Sequence, residues 1–422
     1  MKKNAEGLTA EILATGDELR TGAAVDTNSS AIASELERIG ITVVRHSLIG
    51  DDEKGLVAAF KEIADRASVA IVTGGLGPTD DDRTAQAAAM ASGKPLVEDV
   101  LAAEQIERFL GQHGIPASPG NLKQAWIPEG ASLLPNPVGS APGFCLDIGH
   151  CRFFFLPGVP REMAVVLKRH VLPHLIGMTG GAIAHDPIRV ISTYGLTESA
   201  VGERLHSLEG RFPRLRLGLR LRFPEIDIRL YPYPGGARSV PQGLDNAADW
   251  IQAQLGTRVV SKKGLSMQAE VGRLLSEQEK SLAVAESCTG GLVAALLTEV
   301  PGSSAFFLLS SVTYSNSAKI RALGVSPATL DRYGAVHEET AKEMADGARR
   351  LVDADVAIST TGIAGPDGGS EAKPVGTVCI GLAARDRQTE AFRYRFSFDD
   401  RRLNRRIFAI TALDRLRVRL IA

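Results

Sequence analysis

The fold and the chemistry of the C-terminal half depend on one stretch, Leu282-Ala-Val-Ala-Glu-Ser-Cys-Thr-Gly-Gly291. A short apolar run ends in a carboxylate, two hydroxyls and a thiol, and two glycines follow. The next residues, 292–298, have the apolar spacing of a helix. The pattern predicts a strand, a tight turn and a helix. It places a small nucleophile at a helix N-terminus, where unpaired backbone N–H groups stabilise an oxyanion or a phosphate.

The composition is typical of a globular protein without a membrane anchor. The 422 residues are 44% hydrophobic and 23% charged, and they suffice for about two to three domains. A formal net charge of −1 argues against a chain that binds nucleic acid over its whole surface. No signal peptide and no apolar run of membrane-spanning length is evident, so we expect no membrane association. Four scattered cysteines without a Cys-x-x-Cys pair favour the cytoplasm.

Strand and helix patterns alternate in the first 175 residues. Apolar strands are predicted at 10–14, 41–44 and 69–72, with helices between them and short turns. This order predicts a parallel α/β sheet with functional sites at the carboxyl ends of the strands.

The third strand leads into a glycine loop, Gly74-Gly-Leu-Gly77, that lets backbone amides approach a phosphate. It is not a P-loop, because no Gly-Lys-Ser/Thr follows. Asp80, Asp81 and Asp82 come next, and bare carboxylates repel a phosphate unless a divalent cation such as Mg²⁺ or Mn²⁺ bridges them. The alternative is an acidic first turn of the following helix.

The middle of the chain contains a strictly alternating strand at 215–223, with leucines and a phenylalanine on one face and arginines on the other. The arginines fit either a solvated sheet face or a phosphate site. No aromatic residue interleaves them, which disfavours nucleic-acid binding.

Three loops of the last region carry polar groups at the ends of predicted strands, at 286–289, 314–319 and 361–367. Ser287 needs a base, and Lys319 is the available one, with Tyr314 as a proton relay. The region's only histidine, His337, lies in a helix-capping pattern. Cys288 is a competing nucleophile, and a helix-capping role for Ser287 is the non-catalytic alternative.

The N-terminal motifs resemble those of the CinA (competence/damage-inducible) family: Thr15-Gly-Asp-Glu18, Asp26-Thr-Asn28, Gly74-Gly-Leu-Gly-Pro-Thr79 with Asp81-Asp82, Asn136-Pro-Val-Gly139 and Leu156-Pro-Gly-Val-Pro-Arg-Glu-Met163. The resemblance implies a three-layer α/β/α domain of the molybdopterin-binding type that hydrolyses ADP-ribose with a divalent metal (Mg, Mn or Co), with K⁺ as a further cation. Asp82, then Asp81, would hold the metal. Substrate would bind at Gly74, Gly75, Gly77 and Thr79.

The C-terminal motifs resemble the nicotinamide-nucleotide amidohydrolase domain of the same family: Ala285-Glu-Ser-Cys-Thr-Gly-Gly291, Tyr314-Ser-Asn316 with Lys319, Gly334-Ala-Val336, Gly362-Ile-Ala-Gly-Pro-Asp-Gly-Gly369 and Lys373-Pro-Val-Gly-Thr377. The resemblance implies deamidation of nicotinamide mononucleotide without a cofactor. Ser287 would be the nucleophile, Lys319 the base and Tyr314 its helper. The substrate residues would be Thr289, Gly290, Thr361, Gly362, Gly365 and Arg401, although Arg402 leaves the register of the arginine open.

The resemblance also implies an α/β protein of three domains, namely 1–175, a small α+β spacer similar to a KH module at 176–260, and the amidohydrolase domain at 261–422. We expect a cytoplasmic homodimer that recycles pyridine nucleotides and binds no nucleic acid directly. The alternative is a non-catalytic competence or DNA-damage accessory protein that recruits a recombination partner.

Overall fold

The structure is a computed structural model that describes residues 8–178, 188–232 and 240–422. The chain divides into two compact units, Met1–Asp186 and Pro187–Ala422. We describe each unit by itself.

The described part of the first unit is organised around a mixed six-stranded sheet of order β2-β1-β3-β8-β7-β6. Strands β1, β2, β3 and β8 run parallel, whereas β7 and β6 are antiparallel additions. The strands are β1 Thr9–Thr15, β2 Thr42–Ile49, β3 Val69–Thr73, β4 Leu96–Glu98, β5 Trp126–Pro128, β6 Ser132–Leu134, β7 Gly143–Ile148 and β8 Cys151–Leu156, of which β4 and β5 form a separate pair.

Helices cover this sheet in sequence order: α1 Asp17–Arg20, α2 Asn28–Arg38, α3 Glu53–Arg66, α4 Thr84–Ser92, α5 Val100–Gln112, α6 Pro119–Lys123, α7 Pro160–Val166 and α8 Leu172–Met178. A π-helical turn, Leu167–Val171, joins the last two.

Both faces of the sheet are buried, because alternate residues of a strand point to opposite sides. Phe153 and Phe155 of β8 pack with Phe60 of α3 on one side. Phe154 of β8 packs with Ile32 of α2 on the other side. The unit is therefore the three-layer α/β/α domain that the family resemblance implies.

The second unit contains two sheets within its described residues. A four-stranded antiparallel sheet has the order β10-β11-β9-β12, and a five-stranded mixed sheet has the order β14-β13-β15-β16-β17. The strands are β9 Arg189–Tyr194, β10 Leu215–Arg222, β11 Glu225–Pro232, β12 Val259–Ser261, β13 Leu282–Glu286, β14 Phe307–Val312, β15 Val356–Gly362, β16 Thr377–Ala384 and β17 Arg387–Arg395.

The helices of this unit are α9 Glu198–Arg204, α10 Leu208–Arg211, α11 Val240–Leu255, α12 Met267–Glu277, α13 Leu292–Thr298, α14 Asn316–Leu323, α15 Pro327–Tyr333, α16 Glu338–Leu351 and α17 Arg401–Ile421. Val284 of β13 packs in the core shared by α12, α13 and α17, whereas Ala283 faces the core under α16. The C-terminal sheet is thus also covered on both sides, and the predicted α/β class is confirmed.

The small α+β module of β9–β12 is joined to the C-terminal sheet by buried polar contacts. The Tyr194 hydroxyl lies 2.6 Å from Thr411 Oγ1 of α17. Arg417, which is almost fully buried on the same helix, donates to the Val259 carbonyl. The three predicted domain ranges stay a prediction, because residues 187–422 form one compact unit.

On strand β10, Arg216 and Arg220 are exposed, as expected for a solvated sheet face. No helix among the described residues is long and apolar enough to cross a membrane.

Candidate functional site

A cavity of about 210 Å³ in the second unit brings together residues of the three predicted loops and of two further segments, between positions 287 and 401. Its lining includes six of the predicted site residues: Ser287, Tyr314, Lys319, Thr361, Gly362 and Arg401. The cavity lies at the carboxyl ends of the parallel strands β13 and β15, as expected for an α/β sheet.

The turn after β13 is built on Glu286, whose carboxylate is fully buried. It accepts five hydrogen bonds of 2.7 to 3.2 Å, from Thr289 Oγ1, Ser310 Oγ and the backbone N–H groups of Gly291, Val293 and Ala294. This carboxylate therefore fixes the turn that carries the proposed nucleophile.

Glu286 also corrects one expectation from the sequence. Helix α13 starts at Leu292, with Gly291 as the N-cap, so Ser287 neither caps the helix nor lies at its N-terminus. The first free N–H groups of the helix are satisfied by Glu286 and are not available to a substrate. A carboxylate reaching forward from the strand satisfies them because they are buried and need an acceptor.

Ser287 and Lys319 form a buried pair. Lys319 Nζ lies 3.1 Å from Ser287 Oγ, 2.8 Å from the Thr313 carbonyl oxygen and 3.3 Å from the Tyr314 carbonyl oxygen. Lys319 is 1% exposed. No carboxylate of the described residues forms an ion pair with it. The amine is therefore surrounded by neutral oxygens.

Burial lowers the pKa of the Lys319 amine, because the charged form loses its hydration. Lys319 also lies in the first turn of α14, where the positive end of the helix dipole disfavours a cation. Both effects increase the fraction of neutral amine, which is the form that accepts a proton.

Cys288 lines the same cavity but is a poor nucleophile. Burial raises the pKa of its thiol to about 12. A thiol with this pKa is almost entirely protonated at neutral pH, and the thiolate is the reactive form. His337 does not supply a base, since its Nδ1 accepts the Glu339 N–H as the cap of α16. The alternative nucleophile is therefore disfavoured.

Tyr314 does not contact Lys319 through its hydroxyl. The side chain is 62% exposed, and its hydroxyl accepts a hydrogen bond of 3.2 Å from Arg401 Nη2. Lys319 contacts only the backbone carbonyl of Tyr314. The predicted proton relay is therefore not present in this arrangement, and the Tyr314 ring forms a wall of the cavity with Arg401.

Arg401 is the arginine that faces the cavity, which resolves the register that the sequence leaves open. Its Nη1 donates to the Gly365 carbonyl at 2.7 Å, whereas Arg402 is absent from the lining. The Thr361 hydroxyl donates to the Ala335 carbonyl at 2.7 Å, which ties β15 to the loop before α16.

Three predicted substrate residues do not line the cavity. The Thr289 side chain is fully buried and bonds Glu286 and Thr360 Oγ1. Gly290 and Gly365 have positive φ angles of 59° and 83° and shape the turns beside the cavity. Their predicted contact with substrate is not supported by their positions, because neighbouring residues occupy the lining.

The first unit holds a separate cavity of about 500 Å³ at the carboxyl ends of β1 and β3. The predicted residues Gly74, Gly75, Gly77, Asp81 and Asp82 line it, whereas Thr79 does not. The glycines are required by close packing, since a Cβ on Gly74 would lie 2.4 Å from the Thr15 carbonyl oxygen.

Asp82 is held against the glycine loop. Its Oδ2 accepts hydrogen bonds from the Thr79 backbone N–H at 2.9 Å and from Thr79 Oγ1 at 2.5 Å. A Cβ on Gly77 would lie 2.5 Å from the same oxygen, so the loop has room for this carboxylate only because residue 77 is a glycine. Thr79 therefore positions Asp82 instead of lining the cavity.

The predicted divalent metal was tested against these residues. The described residues contain no group of three or more His, Cys, Asp or Glu side chains arranged to hold a metal ion. Mg²⁺ sites at phosphates commonly use one or two protein carboxylates, with phosphate oxygens and water completing the shell. Asp81 and Asp82 at the edge of the glycine loop fit that pattern, and the metal stays a prediction.

Glu162, which lines this cavity, and Asn136, which bonds to it, received no role from the sequence. Asn136 is fully buried, and its Nδ2 donates to Glu162 Oε2 at 2.6 Å and to the Ala141 carbonyl at 2.8 Å. Glu162 lies in the first turn of α7 and lines the cavity. The motifs containing them were visible in the sequence, but the contact between two segments 26 residues apart was not.

Thr15 and Asn28 were also missed. Both line the first cavity and are buried, and Thr15 Oγ1 and Asn28 Oδ1 have no hydrogen-bond partner among the described residues. Unpaired buried polar atoms beside a cavity are commonly partners for a ligand or water.

The two units match two family models. One, described as "CinA C-terminal domain", covers residues 265–420, and the other, described as "Probable molybdopterin binding domain", covers residues 11–176. A CinA-like protein of Desulfosudis oleivorans is 48% identical over 414 residues, which cover 98% of this chain and 100% of that protein. A CinA-like protein of Desulforapulum autotrophicum is 46% identical over 418 residues, covering 97% and 98%.

Among solved structures, the protein CinA with unknown function from Thermoplasma acidophilum is 33% identical, with a TM-score of 0.37. It covers 40% of this chain and 98% of its own.

Fold, cavities and family matches define an α/β protein that combines a molybdopterin-binding-type domain with a C-terminal domain carrying a buried serine–lysine pair. The chain belongs to the CinA family.

Proposed function

We propose that the C-terminal unit hydrolyses the amide of nicotinamide mononucleotide, giving nicotinate mononucleotide and ammonia. The observation that carries this proposal is the 3.1 Å contact between Lys319 Nζ and Ser287 Oγ. A serine–lysine pair is suited to acyl transfer, because a neutral amine activates the hydroxyl in a site without a usable histidine.

The hydrogen bonds of Lys319 support its role as the base. A neutral amine has two N–H donors and one lone pair. The carbonyl oxygens of Thr313 and Tyr314 are the acceptors for the two donors. The lone pair is then directed at the remaining neighbour, Ser287 Oγ, whose proton it accepts.

The reaction follows from this geometry. Ser287 Oγ forms a bond to the amide carbon while its proton passes to Lys319. The carbon–nitrogen bond then breaks, and Lys319 returns the proton to the leaving ammonia. Water hydrolyses the resulting ester and releases the carboxylate. The backbone N–H of Cys288 donates to no oxygen of another described residue, and it supplies a hydrogen bond to the oxyanion.

Arg401 provides the charge that recognises the substrate phosphate. A guanidinium has five N–H donors, and Arg401 uses two of its nitrogens on Gly365 and Tyr314. The remaining donors and the positive charge suit a phosphate dianion. The Tyr314 ring beside Arg401 gives a flat surface for the pyridine ring.

The test is ammonia release from nicotinamide mononucleotide by the full chain. The wild type should release one ammonia per nicotinate mononucleotide formed, and Ser287→Ala should release none above background. An unchanged rate in Ser287→Ala would reject the serine mechanism. If Cys288→Ala alone stops turnover, the thiol is the nucleophile.

The N-terminal unit supports a second activity, hydrolysis of the pyrophosphate bond of ADP-ribose to AMP and ribose 5-phosphate. The supporting observation is the cavity of about 500 Å³, whose lining includes a glycine loop, the carboxylates of Asp81 and Asp82, and unpaired polar atoms. Backbone amides of the loop suit phosphate oxygens. Asp82 and Asp81 would hold a divalent cation (Mg, Mn or Co), and K⁺ is a further predicted ion. The cation neutralises charge on the phosphates when bound.

This second activity is tested with Asp82→Asn, which removes one charge and keeps the side-chain size. Metal-dependent ADP-ribose hydrolysis should fall by at least about 100-fold, the size typical of lost electrostatic stabilisation. An unchanged rate would reject the site. Deamidation by the same variant is the internal control.

The competing function is an accessory protein that recruits a recombination partner without catalysis. Such a protein would release no ammonia and hydrolyse no ADP-ribose, so the same two assays decide between the classes. The chain is predicted to be a cytoplasmic homodimer that does not contact nucleic acid directly. Sedimentation tests the dimer, cell fractionation tests the location, and binding measurements test the contact with nucleic acid.

A further inference from the structure

The carboxylate of Glu162 is held by a buried side-chain amide, whereas Asp51 and Asp82 accept backbone N–H groups in exposed hydrogen bonds. One oxygen, Oε2, accepts the Asn136 amide at 2.6 Å, whereas no hydrogen bond from the described residues reaches Oε1. None of the described cationic side chains forms an ion pair with it. Glu162 lines the cavity, and its Oε1 has no hydrogen-bond partner among the described residues.

The anchor is itself rigid. Asn136 is fully buried, its Nδ2 also donates to the Ala141 carbonyl, and its Oδ1 accepts the Val138 N–H. A buried amide with both ends bonded has one orientation. The position of the Glu162 carboxylate is therefore determined before any substrate binds.

Gly139 provides the space for this contact. A Cβ at residue 139 would lie 2.0 Å from Glu162 Oε2, which is far inside van der Waals contact. Any other side chain there would displace the carboxylate. In this loop Asn136 donates a hydrogen bond to Glu162, and Gly139 leaves space for the carboxylate of Glu162.

We propose that Glu162 is the general base of the N-terminal reaction and that Asn136 is its positioning residue. This inference rests on the proposed ADP-ribose hydrolysis and adds a residue to it. The oxygen of a water molecule forms a bond to phosphorus while its proton passes to Glu162 Oε1. The bond from phosphorus to the bridging oxygen breaks, and AMP and ribose 5-phosphate separate. Glu162 then returns its proton to solvent.

The surroundings of Glu162 suit a base. Burial raises the pKa of its carboxyl, and the hydrogen bond from Asn136 lowers it by a smaller amount. No charged group contributes to this pKa shift. A carboxylate with a raised pKa binds a proton more strongly and therefore removes it from water more effectively.

Asp51 is the competing base. Burial and the nearby carboxylates of Asp17, Glu18 and Asp81 raise the pKa of its carboxyl. However, Asp51 Oδ2 accepts the Asp17 N–H, and the surrounding negative charges repel the phosphates of a substrate. No neighbouring carboxylate contributes to the pKa of Glu162, which favours Glu162 over Asp51 as the general base.

The experiment compares Glu162→Gln with the wild type, using the full chain and ADP-ribose. We expect kcat to fall by about 100-fold or more, as for loss of a general base. KM and the calorimetric affinity for ADP-ribose should change by less than about threefold, because the amide keeps the Asn136 contact region filled. Arg161→Gln, at an exposed position on the same helix, is the matched control and should keep the wild-type rate.

Three further measurements separate a base from a structural role. The acidic limb of the kcat profile should disappear in Glu162→Gln. It should move to higher pH in Asn136→Ala, because that variant loses the hydrogen bond that lowers the pKa of Glu162. Added formate should partly restore turnover in Glu162→Ala, since a small carboxylate occupies the vacated space.

The outcomes distinguish this inference from the function on which it rests. If the wild type does not hydrolyse ADP-ribose, the proposed activity and the base fail together. If the wild type is active and Glu162→Gln keeps its rate, Glu162 is not the base while the activity stands. If Asp51→Asn, and not Glu162→Gln, removes the acidic limb, Asp51 is the base. Calorimetric binding of ADP-ribose by each variant shows that the first unit is folded.

Discussion

The turn after β13 and the loop after β3 are built from similar sequences but use their carboxylates in opposite ways. Each follows a buried parallel strand and combines glycines with acidic and hydroxyl residues. In the second unit Glu286 is fully buried and accepts five hydrogen bonds from the turn and the following helix. In the first unit Asp81 is exposed and Asp82 is half-buried at the edge of a cavity, where Asp82 accepts hydrogen bonds from Thr79 only, among the described residues.

This difference separates two kinds of chemistry. A buried carboxylate that accepts several backbone N–H groups fixes the turn that carries the nucleophile. Its charge is then not accessible to a ligand. Carboxylates at the edge of a cavity keep their negative charge accessible. They can therefore share a cation with phosphates. In this protein the carboxylate before the glycines stabilises the turn, whereas the carboxylates after the glycines line a cavity.

The largest expected effect is that a variant of one unit loses the activity of that unit and keeps the activity of the other. Ser287→Ala should lower deamidation at least about 1,000-fold, because covalent catalysis is lost, and leave ADP-ribose hydrolysis unchanged. Asp82→Asn should do the reverse. Both rates are measured on the same preparations. Loss of both activities in either variant would contradict the assignment of separate sites.

Removal of the buried carboxylate should destabilise the second unit strongly. Glu286→Ala leaves several buried donors unpaired and should lower the free energy of unfolding by about 3–5 kcal/mol. Urea denaturation measures this change. Glu286→Gln keeps the size and part of the bonding and should cost less, and Glu371→Ala at an exposed loop position is the control. A cost below about 1 kcal/mol for Glu286→Ala would contradict the structural role of this side chain.

The pH dependence of deamidation should report Lys319. The reaction needs the neutral amine, so kcat/KM should rise tenfold per pH unit and level off at a pKa below the ordinary lysine value of 10.5. Because the folded-state pKa is lowered, the unfolded chain binds this proton more tightly. Stability should therefore increase with pH from the folded-state pKa up to about 10.5. Lys319→Met should lack this increase, and a wild-type limb above pH 10.5 would exclude Lys319 as the base.

The smallest effect is expected at the neighbouring thiol. Cys288→Ala should change the deamidation rate by less than about threefold, because a thiol with a pKa of about 12 is not the working nucleophile at neutral pH. Iodoacetamide should label the native protein slowly at this position. Rapid labelling together with loss of activity would favour the thiol after all.

The sequence predicts much of the fold because burial follows periodicity. The strand predicted at 69–72 and the helix predicted at 292–298 occur as β3 Val69–Thr73 and α13 Leu292–Thr298. The loops that carry Ser287, Lys319 and Thr361 also meet as expected, since neighbouring parallel strands end at one edge of a sheet.

The bounds of α13 are as predicted, but the predicted position of Ser287 at the N-terminus of this helix is wrong. Local pattern shows a hydroxyl before a helix, and both a serine and a threonine are common caps. The actual acceptor, Glu286, lies on the preceding strand and reaches the helix only when the turn is folded. Likewise, the Tyr314 hydroxyl turns to Arg401, which lies 87 residues away.

The sequence by itself therefore determined the layered α/β units, the glycine turns and the residue types at the strand ends. These follow from local backbone preferences and from the burial of apolar periodic residues. Only the tertiary structure decided which polar groups form hydrogen bonds within the protein and which face a cavity. Glu286, Lys319 and Glu162 carry the same charges in the unfolded chain as any other acid or lysine. Burial and partners distant in sequence give each of them a separate role.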